Sequence, residues 1–251
     1  MMAVDRPAGA CWVLHEDPDL AEAVAPETRT RAAESLVARE LRLAVGPWTR
    51  RQVEIDDGGV GLLVLDGILL HRVGIGERFG AELIGSGDVL RRPYPEATGS
   101  PLPLTQEWTV LHPTRLAVLD VRFARQLTAF PEVAGRLFAR SVARSRQLAV
   151  NMAIVQQARV DARLHLLLWH LAGRWGRVRP DGVLVPLRLT HAVLADLVAA
   201  RRPTVTTALT QLREQGLVRS IEEGWLLCGE SPAHHGGDLT QSREQQHDPE
   251  S

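Results

Sequence analysis

Residues 189–218, LTHAVLADLVAARRPTVTTALTQLREQGLV, decide the fold. Leu189, Val193, Leu194, Leu197 and Val198 recur mostly at three- and four-residue steps, so they share one helical face. Thr190 is placed to cap that helix, because a hydroxyl oxygen can accept from the free N–H groups of a first turn. Ala199-Ala200-Arg201 reads as a sharp turn, and Arg202 opens a second helix. Pro203 fits its first turn, where the missing N–H removes no helical bond. Val205, Ala208, Leu209 and Leu212 form the inward stripe of this second helix, and Gly216 ends it as a left-handed C′ residue.

The outward face carries Arg202, Thr206, Thr207 and Thr210, with Gln211 beside them and no acid among them. Arginine makes forked contacts to phosphate or guanine, and threonine bonds phosphate oxygens or meets a thymine methyl. Two helices joined in this way form a helix-turn-helix, whose second helix enters the major groove of DNA. An ordinary helical hairpin with a solvated basic corner is the competing reading. The residues after Gly216 favour the helix-turn-helix. Two short apolar runs, 217–221 and 225–227, flank Glu222-Glu223-Gly224 and read as a β-hairpin, which completes a winged helix. The residues expected to face DNA are Thr190, Arg201, Arg202, Thr204, Thr206, Thr207 and Gln211.

Residues 189–218, and most specifically ARRPTV and ALTQLREQGLV, resemble the DNA-binding domain of the Crp/Fnr family of bacterial transcription regulators. The resemblance implies that Arg202 reads a base and that Arg201 and Thr204 contact phosphate. Two departures matter. Pro203 stands where many members use an acid to read cytosine, and Thr207 stands at a second base-reading arginine. The resemblance therefore implies an operator unlike the cyclic-AMP receptor consensus.

The chain has 251 residues, enough for two domains. Its net charge of −1 means that any nucleic-acid surface is local. All 29 basic residues are arginine, which we read as a mark of a GC-rich genome. Two cysteines, Cys11 and Cys228, are too few for a disulfide framework or an iron–sulfur site. The N-terminus has Asp5 and no apolar core of a signal peptide, and no apolar run is long enough to span a membrane. A cytoplasmic location is expected. His112, His165 and His170 lack metal-ligand spacing, and no catalytic or nucleotide-binding motif occurs. No enzyme activity, metal or cofactor is expected.

The N-terminal half has the period of strands. Alternating or apolar segments at 41–45, 51–55, 81–84, 89–90, 108–111 and 116–121 are separated by turn residues. The run GLLVLDGILLHRV at 61–73 reads as two strands joined by Asp66-Gly67. Residues 1–35 look irregular, with a helical piece near 27–40 and prolines at 7, 18 and 26 as breakers. A proline-rich loop covers 91–103. The strand order, together with GSGDVL at 85–90, resembles the cyclic-nucleotide-binding-type jelly roll of the same family; the resemblance spans about 35–228. Members that bind cyclic nucleotides carry a Gly-Glu-Leu and an Arg-Ser/Thr-Ala. Here Val89-Leu90-Arg91 and Thr105-Gln106-Glu107 stand instead, and Glu107 would repel a phosphate. Arg91 and Arg92 are the candidates for effector binding. The departures imply an effector other than cyclic AMP, or none, with a cyclic-nucleotide-responsive regulator as the alternative.

Residues 123–157 are helical in pattern, with a join at Phe130-Pro131-Glu132. Leu148, Met152 and Val155 step by four and three, as a coiled-coil seam does. Such a stripe packs either on its own β-roll or on a second copy, and in the resembled family the matching helix forms the dimer. Asp161 is placed to cap a helix over 162–174, after a hinge at 157–161; a loop over 173–182 and a short strand at 183–187 come next. The polar stretch 229–251 lacks periodicity and is expected to be disordered.

The expected fold is α+β: an N-terminal jelly-roll or β-roll domain, a long dimerisation helix and a C-terminal winged helix-turn-helix. The expected divisions are 1–122, 123–160, 161–228 and the tail. The expected function is a homodimeric, sequence-specific transcription regulator, with double-stranded DNA and RNA polymerase as partners and an undefined small-molecule effector or none. A sensor or protein-interaction module whose winged helix does not touch DNA is the other class. It would show aromatic anchors on its outward helix face, and that face has none.

Overall fold

A computed structural model describes residues 9–49, 58–76, 78–90 and 102–232. The chain divides into two compact units, Met1–Val150 and Asn151–Ser251.

The first unit is built on an antiparallel sheet. Its strands are β1 (Ala10–Trp12), β2 (Val37–Leu43), β3 (Gly46–Pro47), β4 (Gly61–Ile75), β5 (Arg78–Gly85), β6 (Val89–Leu90) and β7 (Leu104–Leu119). The order is β1-β2-β7-β4-β5, with β3 on β7 and β6 on β4. The helices of the same unit are α1 (Val13–Glu16), α2 (Pro18–Glu22), α3 (Pro26–Ser35), α4 (Val121–Leu127) and the start of α5 (Pro131–Val155).

Several sequence expectations fail in this unit. Asp66-Gly67 is no hairpin turn, because β4 runs on through it beside β7, and the pairing slips around Asp66 and Ile68 instead. Gly67 has φ +100°, and a Cβ there would lie 2.3 Å from Thr114 Oγ1. The glycine thus serves close approach at a bulge. A continuous ladder on either side outweighs the local turn signal. For the same reason, the two segments expected at 108–111 and 116–121 are one long strand, β7. The N-terminal stretch is also more regular than expected. Pro18 and Pro26 open helices α2 and α3, where the sequence alone suggests breaks. The expected helix near 27–40 stops at Ser35, and Val37 and Ala38 pair with Trp12 and Cys11 of β1.

The run Leu62-Leu63-Val64 lacks alternation because both faces of the sheet are covered here. Leu63, Ala117 and Leu119 pack with Leu14, Leu20, Leu36, Phe123 and Leu137 from the helices. Leu62, Val64, Leu116 and Val118 point the other way, into a cluster with Leu69, Ile84, Trp48 and Trp108. Trp48 meets Trp108 edge-on, with ring centroids 5.7 Å apart.

The second unit holds α6 (Val160–Trp175), β8 (Arg177–Arg179), β9 (Gly182–Val185), α7 (His191–Leu197), α8 (Arg202–Glu214), β10 (Val218–Ile221) and β11 (Gly224–Leu227). The strands form a sheet in the order β10-β11-β9-β8. The expected loop over 173–182 is largely absent: Gly173 lies inside α6, and β8 and β9 make a hairpin. Arg159, not Asp161, is the N-cap of α6; Asp161 sits in the first turn and pairs with Arg159 at 2.6 Å. The strand expected at 51–55, the effector candidates Arg91 and Arg92, and the tail from 233 lie outside the described residues.

Candidate nucleic-acid interface

The interface is assembled from the turn between α7 and α8. Thr190 Oγ1 accepts from the Val193 N–H at 3.3 Å and starts α7. The helix stops because Ala199 takes φ +51°, a left-handed conformation that a residue with a Cβ adopts at a cost. The Ala200 N–H then reaches back to the Ala195 carbonyl at 3.0 Å, which closes the end of α7. Arg163 of α6 fixes the outside of this turn: its Nη1 donates to the Val198 carbonyl at 3.2 Å and its Nε to the Gln157 carbonyl at 2.6 Å. The sequence pattern holds no sign of that clamp, since Arg163 lies 35 residues from Val198.

Helix α8 buries Val205, Ala208, Leu209 and Leu212, the stripe read from the sequence. Arg201, Arg202, Thr204, Thr206, Thr207 and Gln211 are exposed, Thr210 is half-buried, and Thr190 is exposed one helix away. All seven expected residues therefore lie at the surface of the helix-turn-helix. Arg201 occupies the N-cap of α8 without capping it. Among the described residues neither Arg201 nor Arg202 is bridged to an acid, and both extend from the positive end of the helix dipole. The tip of the β10–β11 hairpin is different in sign, with Glu222 and Glu223 exposed and Glu223 paired to Arg179 of β8. The start of α8 thus carries positive charge that the hairpin tip does not.

His191 is a member of the site that the sequence does not announce. It opens α7, and its Nδ1 lies 2.9 Å from Thr206 Oγ1 on α8. Its ring also sits 6.4 Å from that of Trp225 on β11. The spacing of 15 residues carries no local signal, because only the turn brings the two helices together.

Helix α5 presents a second exposed surface, which is apolar. Leu148 and Met152 are exposed, Val155 is half-buried, and Phe138 and Val142 extend the apolar stripe towards the helix start. Phe138 is 72% exposed and Met152 68%, so neither has packed on its own domain. A different face of α5 holds the roll. Leu137 is buried there, Arg140 bonds Asp17 and Asp19, and Arg144 grips Glu82 of β5. Glu82 also accepts from His71 Nδ1 at 2.9 Å, and His71 stacks on Trp108 with centroids 3.9 Å apart. Burial pushes the Glu82 carboxyl up, but its bonds to His71 and Arg144 outweigh that and hold it below the usual range. Glu107, expected to repel a phosphate, pairs with Arg72 at 2.7 Å.

Among the described residues no group of His, Cys, Asp and Glu could hold a metal ion, neither cysteine is in a disulfide, and no helix is long and apolar enough to cross a membrane.

Comparison with known proteins fits this geometry. Residues 162–228 match the model of the Crp-like helix-turn-helix domain. A curated relative, the global nitrogen regulator of Synechococcus elongatus, is 28% identical over 107 residues, which cover 42% of this chain and 48% of that protein. The chain thus spans about half the length of the relative it matches. Among solved structures, a cyclic nucleotide-binding domain containing protein from Listeria monocytogenes EGD-e aligns with TM-score 0.62 and 14% identity, over 84% of this chain and 96% of that one. A CooA mutant from Carboxydothermus hydrogenoformans aligns with TM-score 0.60 and 16% identity, over 78% and 85%. FixK2 from Bradyrhizobium japonicum aligns with TM-score 0.57 and 16% identity, over 79% and 96%. With its basic helix start set on a winged scaffold, this chain carries a Crp-like helix-turn-helix domain within the fold shared by Crp/Fnr regulators.

Proposed function

We propose that the protein is a sequence-specific, DNA-binding transcription regulator of the Crp/Fnr type, acting as a homodimer on a near-palindromic operator. The observation that carries this reading is the acid-free, exposed edge of α8 from Arg201 to Gln211. Phosphates would be met by Arg201 and Thr204 at the positive helix end, and a base edge by Arg202. The apolar stripe of α5, from Phe138 to Met152, supports dimerisation: it is a long, solvent-facing seam on a helix whose other face is already engaged. A two-fold dimer would set two recognition helices about one DNA turn apart. The inner cluster of the roll, filled by Trp48, Trp108 and their neighbours, supports control by an effector other than cyclic AMP, or by none.

Selection of binding duplexes from a random-sequence library by the purified full chain tests the function. The expected result is an enriched inverted repeat whose binding weakens as salt rises. No enrichment over the input library would refute it. Sedimentation tests the dimer: the parent is expected as a dimer, and Phe138→Glu with Met152→Glu as a monomer.

A further inference from the structure

The threonines of α8 are not equivalent to free hydroxyls. Thr206 Oγ1 donates to the Arg202 carbonyl at 3.1 Å, Thr207 Oγ1 to the Pro203 carbonyl at 3.3 Å, and Thr210 Oγ1 to the Thr206 carbonyl at 3.1 Å. Each hydroxyl has one hydrogen, and each hydrogen points back into the helix. Thr206 is held twice, because His191 Nδ1 lies 2.9 Å from the same oxygen. If the Thr206 hydrogen goes to Arg202, His191 donates through an Nδ1–H. If it goes to His191 instead, the ring nitrogen accepts. In both arrangements the hydrogen stays within the protein, and only lone-pair capacity and a methyl group face outward.

We propose that His191 is a positioning residue that makes Thr206 an acceptor-only reader, so that α8 selects an A·T base pair where Thr206 meets the major groove. The match between Thr206 and the pair is one of complementarity. A phosphate oxygen and the O6 and N7 of guanine are all acceptors, and an acceptor-only oxygen gains nothing from them. Adenine presents an N6 amine donor, and its partner thymine presents a methyl group on the same pair. Threonine held in this rotamer offers a match for both. A G·C pair also has one amine, on cytosine, but no methyl. The basic edge supplies the opposite chemistry: Arg201 and Arg202 carry only donors and suit phosphate and guanine. The half-site is therefore expected to hold a donor-read position followed by an A·T position. This rests on the DNA-binding function proposed above and divides the labour within it.

The test uses the purified full chain and duplexes selected from a random library. At the position assigned to Thr206, the parent is expected to select A·T. Replacing that adenine by purine, which lacks the N6 amine, is expected to weaken parental binding about fivefold or more. Thr206→Val keeps the shape and loses the acceptor; for this variant adenine and purine should bind alike. Thr206→Ser keeps the acceptor and should retain the adenine preference. His191→Phe removes one of the two bonds that hold the Thr206 hydroxyl and should narrow the gap between A·T and G·C at that position while Thr206 remains. Overturning results are a G·C pair selected opposite Thr206, equal parental binding of adenine and purine duplexes, or a Thr206→Val loss that is the same for every sequence, which would place the hydroxyl on phosphate. Each of these requires that the protein bind DNA; failure to bind any duplex would instead refute the proposed function.

Discussion

The paired arginines of the roll and the two at the start of α8 live in different surroundings. In the roll they are bound into the structure: Arg115 joins Glu16 and Glu40, Arg140 joins Asp17 and Asp19, Arg144 holds Glu82, and Arg72 meets Glu107. These pairs tie β2, β5, β7 and α5 to one another and to the N-terminal helices. Arg201 and Arg202 stand at the start of α8 with no acid bridged to them among the described residues. One residue type thus serves two purposes, and the environment separates them. A paired arginine is a strut, with its charge answered inside the fold. An unanswered one at the positive end of a helix is available to an anion.

The largest expected effect is on the roll. Arg144→Ala leaves the buried Glu82 carboxylate without its cation and should cost that unit about 3 kcal/mol, read as lost amide protection in β4 and β5. The base preference of α8 should not change; if it did, the separation of struts from readers would break. Next comes the reader itself. Arg202→Ala should cost roughly 1–3 kcal/mol of discrimination at one base position and leave the roll's protection intact, as measured by competition between operator variants. Equal discrimination by parent and variant would remove Arg202 from the base-reading role.

The two units should also part company with pH. Burial lowers the pKa of His165 and His170 in α6 below 6.5, and His165 Nε2 accepts from Trp169 Nε1 at 3.0 Å, a bond its imidazolium could not keep. The folded winged helix resists a proton that the unfolded chain takes up, so its stability should fall as pH drops below 6.5. Glu82 is depressed below 4.5, so its contribution to the roll is present above that pH and fades only as pH falls further. Hydrogen exchange tracked from pH 7 downward should show α6 losing protection before β5. The reverse order would contradict these assignments. The smallest effect is at the turn. Ala199→Gly relieves a left-handed residue and should stabilise the winged helix by up to about 1 kcal/mol, without altering base preference.

The winged helix is far easier to read from sequence than the roll. Its inward stripe, its Thr190 cap, its Gly216 stop and its outward Arg and Thr residues all come from local periodicity, and the structure has each of them. Local reading fails where long-range pairing decides. Asp66-Gly67 is a strong turn signal by itself, yet β7 lies alongside and draws the chain straight through. Likewise Pro18 and Pro26 look like breakers, although proline both ends and begins helices and only the residues after it distinguish the two. In the interface, His191 and Arg163 are invisible for the same reason: their partners, Thr206 and Val198, are brought to them by the tertiary fold. The stripe of α5 is half legible. Leu148 and Met152 show themselves by their step, but Phe138 and Val142 lie in a stretch where buried Leu137 and the paired arginines interrupt the pattern.

In the proposed function the arginine edge of α8 binds duplex DNA through its charge. The most direct measurement is the affinity of the full chain for its selected duplex across a salt series, for the parent and for Arg201→Ala. Parental affinity should fall steeply with salt, and the variant's log–log slope should be shallower by about one, the loss of a single phosphate contact. Affinity indifferent to salt, or a variant that titrates as the parent does, would contradict it.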